Sequence, residues 1–172
     1  MRWLRCPPQV RTLYDVEEAL QGRESVALQV VRDGKPLELS VPTMAHDGLG
    51  TQAVVGWAGL LLQASPEAVR AQRTVPAEGG VYASYRYFGS PSSRYDLAPT
   101  THIIEVDAQP TPDLPSFLER VKGKRNGEIL RIKYVDLEGR RRMTTLKVDL
   151  KYWPTFLLTR GPNGDWVRKE VV

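Results

Sequence analysis

Leu13, Val16 and Leu20 recur at spacings of three and four, with polar residues between them. That period predicts a helix over 12–21, ended by Gly22. The period then changes to two. Val26, Leu28 and Val30 alternate with other residues, Asp33-Gly34 marks a hairpin turn, and Leu37, Leu39 and Val41 return. Helix, strand, turn and strand therefore fill 12–42.

The same order recurs downstream. Leu114, Phe117, Leu118 and Val121 fall on one face of a predicted helix over 113–121, with Asp113 as N-cap and Pro115 in the first turn. Alternation through Ile129 to Tyr134 follows, then a turn at Leu137-Glu138-Gly139 and a returning strand, M-T-T-L-K-V. R-D-G-K-P-L-E-L-S-V and D-L-E-G-R-R-R-M-T-T-L-K-V occupy equivalent places, so the chain carries an internal repeat whose first copy lacks its front half.

Between the copies, residues 43–52 are polar and glycine-bearing, a linker. W-A-G-L-L-L-Q-A, residues 57–64, predicts one strand. Ser65 and Pro66 open a short helix over 65–73. V-Y-A-S-Y-R-Y predicts a strand with Tyr82, Ser84 and Arg86 opposite Val81, Ala83, Tyr85 and Tyr87. Beyond residue 150, two short strands around Gly161 to Gly164 predict a terminal hairpin.

Composition narrows the setting. The 172 residues suit one domain with extra elements or two small modules, and 41% hydrophobic with 26% charged residues is ordinary for a globular protein. Cys6 is the single cysteine, which excludes an internal disulfide and fits a reducing compartment. No apolar run reaches the ~20 residues that span a bilayer, and M-R-W-L-R-C-P-P has no long apolar core, so neither a membrane span nor a signal peptide is expected. The net charge of +4 is mild; its clusters, Lys122 to Arg125 and Gly139 to Arg142, read as solvated turns or as phosphate-binding or nuclear-import patches.

F-G-S-P-S-S-R-Y-D-L-A-P-T-T-H-I-I-E-V-D, residues 88–107, resembles the PDZ-domain stretch that elsewhere reads roughly G-S-P-A-x-x-A-G-L-x-P-G-D-x-I-x-x-V-N-G. It departs from that pattern at Asp96, at Thr100-Thr101 and at Ala108-Gln109. The likeness is to PDZ modules that trail HtrA/Deg-type serine proteases. K-Y-W-P-T-F-L-L and the upstream W-A-G-L-L-L-Q-A-S-P-E-A-V-R are similar to the C-terminal region of the fungal nuclear, pro-apoptotic members. The resemblance implies an α+β fold: a PDZ-like, partly open β-barrel or sandwich with two helices over 53–150. It is preceded by a partial PDZ-like unit over 1–43 and a 44–52 linker, and followed by a hairpin extension over 151–172.

A PDZ fold binds a peptide as an added strand in a groove between an open sheet edge and a helix, with the peptide carboxylate held by backbone N–H groups of a glycine-bearing loop. Trp57, Ala58, Gly59 and Leu60 match that loop, Leu60 and Leu62 would face the groove, and Leu114, Phe117, Leu118 and Val121 would form its far wall. The alternative is that W-A-G-L-L-L is a buried core strand beside an inoperative groove. The serines at 90, 92 and 93 read as turn and cap residues, with Leu97 as a core plug. His46 and His102 are the only histidines; no nucleophile elbow or triad pattern surrounds them, so no enzyme activity is expected. One cysteine and two distant histidines make no metal set, and no phosphate-binding loop is present, so no cofactor is expected. Tyr82, Tyr85, Arg86 and Tyr87 could stack on nucleic acid, but alternate strand residues point to opposite faces, so that partner is disfavoured.

The leading expectation is a non-catalytic peptide-binding or docking region of an HtrA-type protease. Its partners would be peptide C-termini, neighbouring modules or other protomers of a homo-oligomer, without membrane contact. The setting would be intracellular, nuclear by resemblance or cytoplasmic. The rival is a structural interdomain or oligomerisation spacer with an occupied groove; a weak basic nucleic-acid binder stands third.

Overall fold

A computed structural model describes residues 10–45, 48–72 and 75–171. The chain divides into two compact units, up to Gly48 and from Leu49 onward.

The first unit holds helix α1 (Leu13–Leu20) and strands β1 (Ser25–Arg32) and β2 (Lys35–Pro42). Thr12 caps α1 by accepting a hydrogen bond from the Asp15 N–H, and Asp15 reaches back to the Thr12 N–H, a reciprocal capping box. β1 and β2 form an antiparallel pair in which Val26 faces Val41, Leu28 faces Leu39 and Val30 faces Leu37.

The second unit is built on one open nine-stranded sheet. Its strands are β3 (Ala53–Trp57), β4 (Leu60–Gln63), β5 (Val81–Arg86), β6 (His102–Val106), β7 (Gln109–Pro110), β8 (Ile129–Val135), β9 (Arg141–Lys147), β10 (Phe156–Arg160) and β11 (Trp166–Glu170). The order is β11-β10-β3-β4-β5-β6-β8-β9, with β7 beside β6. Helices α2 (Glu67–Ala71), α3 (Pro91–Arg94) and α4 (Leu114–Val121) accompany it. The core joins Val55, Trp57, Leu60 and Leu62 with Val81, Leu97, Ile103, Phe117, Leu130, Ile132 and Leu146.

Three expectations are corrected here. The sheet does not close toward a barrel: β10 takes the outer edge of β3, and the sheet grows outward to β11. Residues 57–64 are not one strand. Ala58 (φ 49°) and Gly59 (φ 80°) are both left-handed, and this pair reverses the chain into a β3–β4 hairpin, as a tight two-residue turn requires. The faces of β5 also differ from simple alternation. Leu62 pairs with Ala83 but Leu61 with Tyr85, so Ser84 is an extra residue, a bulge. Beyond it Tyr85 and Tyr87 turn to solvent, while Arg86 faces the same side as buried Leu60.

Candidate functional site

The nine residues of the predicted groove meet in one place, the interior of the second unit. Trp57 ends β3, Ala58 and Gly59 make the turn, and Leu60 and Leu62 point inward from β4. Leu114, Phe117 and Val121 are buried on the facing side of α4, with Leu118 half-buried against the same core. Sequence dictates this face: Asp113 fixes the start of α4 by accepting from the Ser116 N–H at 2.8 Å, and apolar residues follow at helical spacing. Trp57 and Phe117 meet edge to face with ring centroids 5.3 Å apart, filling the space between hairpin and helix.

The backbone around that space is engaged as well. β4 pairs with β3 through Val55–Leu62, Gly56–Leu61 and Trp57–Leu60, and with β5 on its other side. The Ala58 carbonyl accepts from the Ser92 N–H at 3.0 Å, and the Gly59 carbonyl from the Tyr87 N–H at 2.8 Å. The serines explain the loop. Ser90, fully buried, accepts from the Ser93 N–H, donates to the Tyr87 carbonyl at 2.6 Å and lies 2.8 Å from the Ser92 hydroxyl. It seats α3 directly against Gly59, where a β-carbon would collide with Ser90.

The strand that occupies the edge of β4 escaped the sequence reading. Its signals were the apolar run Ala53 to Trp57 and the Ala58-Gly59 turn. Gly56 has a further role: the ring of Phe156 from β10 lies where its β-carbon would be, so β10 can close onto β3.

A serine–histidine contact exists elsewhere. The Ser65 hydroxyl lies 3.0 Å from His102 Nε2, and the Tyr82 ring packs on the imidazole with centroids 5.2 Å apart. Both partners are buried, and burial pushes the imidazole pKa down. A buried, uncharged pair of this kind ties β6 to the start of α2. His46 lies outside the described residues. Among the described residues no group of three or more His, Cys, Asp or Glu could hold a metal, and no helix is long and apolar enough to cross a membrane.

Four of the side chains in the basic clusters are ion-paired locally. Arg140 and Arg142 each donate to Asp136, at 2.9 and 2.8 Å, and Arg141 lies 2.5 Å from Glu78. The Arg142 side chain and the Arg140 backbone hold the Asp136 carboxyl well below the usual carboxylate range. Lys124 bridges Glu128 and Asp107, each at 3.0 Å. A shallow cavity of about 230 Å³ lies between the end of α4 and the tail, lined by Val121, Lys124, Leu150, Pro154 and Glu170.

No family model matches the chain. Protease Do-like 7 of Arabidopsis thaliana is 39% identical over 166 residues, which cover 92% of this chain and 15% of that protein. Pro-apoptotic serine protease NMA111 of Meyerozyma guilliermondii is 31% identical over 94% of this chain and 16% of its own length. The protein of that name from Pyricularia oryzae is 34% identical over 80% and 13%. Among solved structures, the HtrA-type protease AlgW with decapeptide aligns with 56% of this chain and 29% of its own, at a TM-score of 0.48 and 22% identity. The chain thus spans 15% of the length of the plant relative. Over nearly its whole length it is homologous to one stretch of the Do-like and NMA111 serine proteases.

Proposed function

We propose that the chain is a non-catalytic, PDZ-like docking region of an HtrA-type serine protease, and that its peptide groove is filled by its own strand. In this role it holds neighbouring modules or protomers in place and does not capture free peptide termini. One observation carries the reading: β4, the strand to which a peptide would add, is paired on both edges by β3 and β5. Strand addition needs an unpaired edge, because main-chain hydrogen bonds supply much of the affinity. The buried Trp57–Phe117 contact supports the same reading. The match to a limited stretch of long proteases supports a regional role over a complete enzyme. The Ser65–His102 pair supports it too: a nucleophile needs an accessible hydroxyl, and this one is buried. The ion-paired arginines of 140–142 add no support for a nucleic-acid or import role.

The test is a titration of the chain with a library of peptides bearing free C-termini. The expected result is no binding at or below roughly 1 μM, about −8 kcal/mol. Micromolar binding that disappears on amidation of the peptide terminus would instead establish a working groove.

A further inference from the structure

The chain has two asparagines, Asn126 and Asn163, and each is followed by glycine. That dipeptide is the least durable setting for an asparagine, because glycine puts no β-carbon in the way of its own nitrogen. The two sites are alike in sequence and differ in what holds them. We infer that Asn163 is a site of spontaneous deamidation, that the fold protects Asn126, and that conversion at 163 loosens the β10–β11 hairpin. This goes beyond the docking reading and does not rest on it.

The chemistry needs only the chain and water. The Gly164 nitrogen bonds to Asn163 Cγ and gives up its proton to water. The Asn163 amide nitrogen takes up a proton and leaves as ammonia, which closes a succinimide. Water then adds to either ring carbonyl and that C–N bond breaks. One opening gives aspartate. The other gives isoaspartate, whose main chain runs through Cβ and is one atom longer.

Asn126 is held on both sides of the bond that must form. Its Oδ1 accepts from the Leu150 N–H at 2.8 Å, and the Gly127 N–H donates to the Val148 carbonyl at 2.9 Å. Val148 is buried, and its own N–H donates to the Glu128 carbonyl at 2.9 Å. Freeing Asn126 Cγ and the Gly127 nitrogen together therefore means opening the base of the β8–β9 pair.

Asn163 stands at the tip of the β10–β11 hairpin. The Gly161 N–H donates to the Asp165 carbonyl at 2.7 Å, and the Gly164 N–H donates back to the Gly161 carbonyl at 3.0 Å. Gly164 is left-handed, at φ 86°, the residue that completes a three-residue hairpin loop. Asn163 is exposed, and its side chain makes no hydrogen bond to any described residue. One bond within the turn is all that restrains the attacking nitrogen, and a hairpin tip opens at little cost. The Arg160 guanidinium lies 3.7 Å from where a Gly164 β-carbon would stand, so a cation sits beside the nitrogen that must lose its proton.

The site matters for β11. Every residue of that strand is exposed, and what holds it is β10, through their cross-strand pairs and Arg168 on the Phe156 ring. The Val171 N–H donates to the Thr155 carbonyl and the Gly161 N–H to the Asp165 carbonyl, so alternation sets the Val167 and Lys169 N–H groups against β10. Isoaspartate adds a main-chain atom to the short loop that fixes this register. β10 is also the strand that closes onto β3.

The experiment holds the full chain at neutral pH and samples it over time. Peptides containing 126 and 163 are followed by the mass gain of deamidation, and isoaspartate is counted with protein isoaspartyl methyltransferase. Asn163 should convert about tenfold or more faster than Asn126 in the folded chain, and the two rates should fall within about threefold of each other in concentrated urea. Asn163→Gln, which would have to close a larger ring, should abolish conversion there and leave Asn126 unchanged. Converted chains, separated by charge, should exchange the Val167 and Lys169 amides about threefold or more faster than unconverted ones. Equal rates in the folded chain overturn the inference. So does a difference that persists in urea, since neighbouring residues and not the fold would then set the rate. Unaltered exchange at Val167 and Lys169 in converted chains overturns it as well.

Discussion

Trp57 and Phe117 stand edge to face at 5.3 Å and join the β3–β4 hairpin to α4. Neither ring has appreciable exposure. Phe117→Ala should therefore cost about 3–5 kcal/mol of stability by chemical denaturation, the range for a buried aromatic truncated in a packed core. If the space instead belonged to a peptide, the truncation would cost little and would alter peptide affinity; denaturation and titration of the same variant separate the two.

Gly59 and Ser90 make the second tight relationship. A side chain at 59 would meet the Ser90 Cβ and would also have to hold φ near 80°. Gly59→Ala should lose about 2–5 kcal/mol, the combined scale of overpacking and backbone strain. Gly89→Ala is the control. It too is left-handed, at φ 73°, but nothing lies within 4 Å of its β-carbon position. It should lose only about 1 kcal/mol. Equal losses at the two positions would show that backbone conformation alone governs the turn.

Much of this architecture is legible in the residues, and the parts that are not share a cause. α1, α4 and both repeat hairpins follow from period changes and caps, because local spacing decides which face is apolar. The role of Ser90 as a cap on α3 is legible for the same reason. The edge of β4 is not. Whether a strand lies open depends on which distant segment pairs with it, and here the partner β3 is itself held by β10, about a hundred residues away in sequence. The bulge at Ser84 is equally hidden: one extra residue reverses the parity of every later side chain, and V-Y-A-S-Y-R-Y carries no glycine to announce it.

That reversal has a measurable consequence at Arg86. Its Nη1 is buried without a hydrogen-bond partner, 4.0 Å from an Asp96 oxygen whose side chain is almost wholly in water. Desolvating a guanidinium nitrogen without replacing its hydrogen bond is unfavourable, and an apolar chain of similar length avoids it. Arg86→Met should leave stability unchanged or raise it by up to about 2 kcal/mol. A loss above about 1 kcal/mol, restored by a lysine at the same position, would mean the charge is stabilising after all.

His102 sets the pH response. Burial lowers its pKa below that of the unfolded chain, where an unperturbed imidazole titrates near ~6.5. Between the two values the unfolded state binds the proton and the folded state does not, so acid favours unfolding. The group's contribution is fully present above ~6.5 and is lost as pH falls through that value toward the depressed folded pKa. The slope can reach one proton, about 1.4 kcal/mol per pH unit. His102→Gln removes the titration and should flatten the stability profile below about pH 6.5, at some constant cost from the Ser65 contact and the Tyr82 packing. Ser65→Ala should lower stability across the range but keep the slope, because burial, not the hydroxyl, is the cause of the shift. If the Gln variant keeps the same slope as the parent, the acid sensitivity arises from another group and His102 binds its proton equally well in the folded and unfolded states.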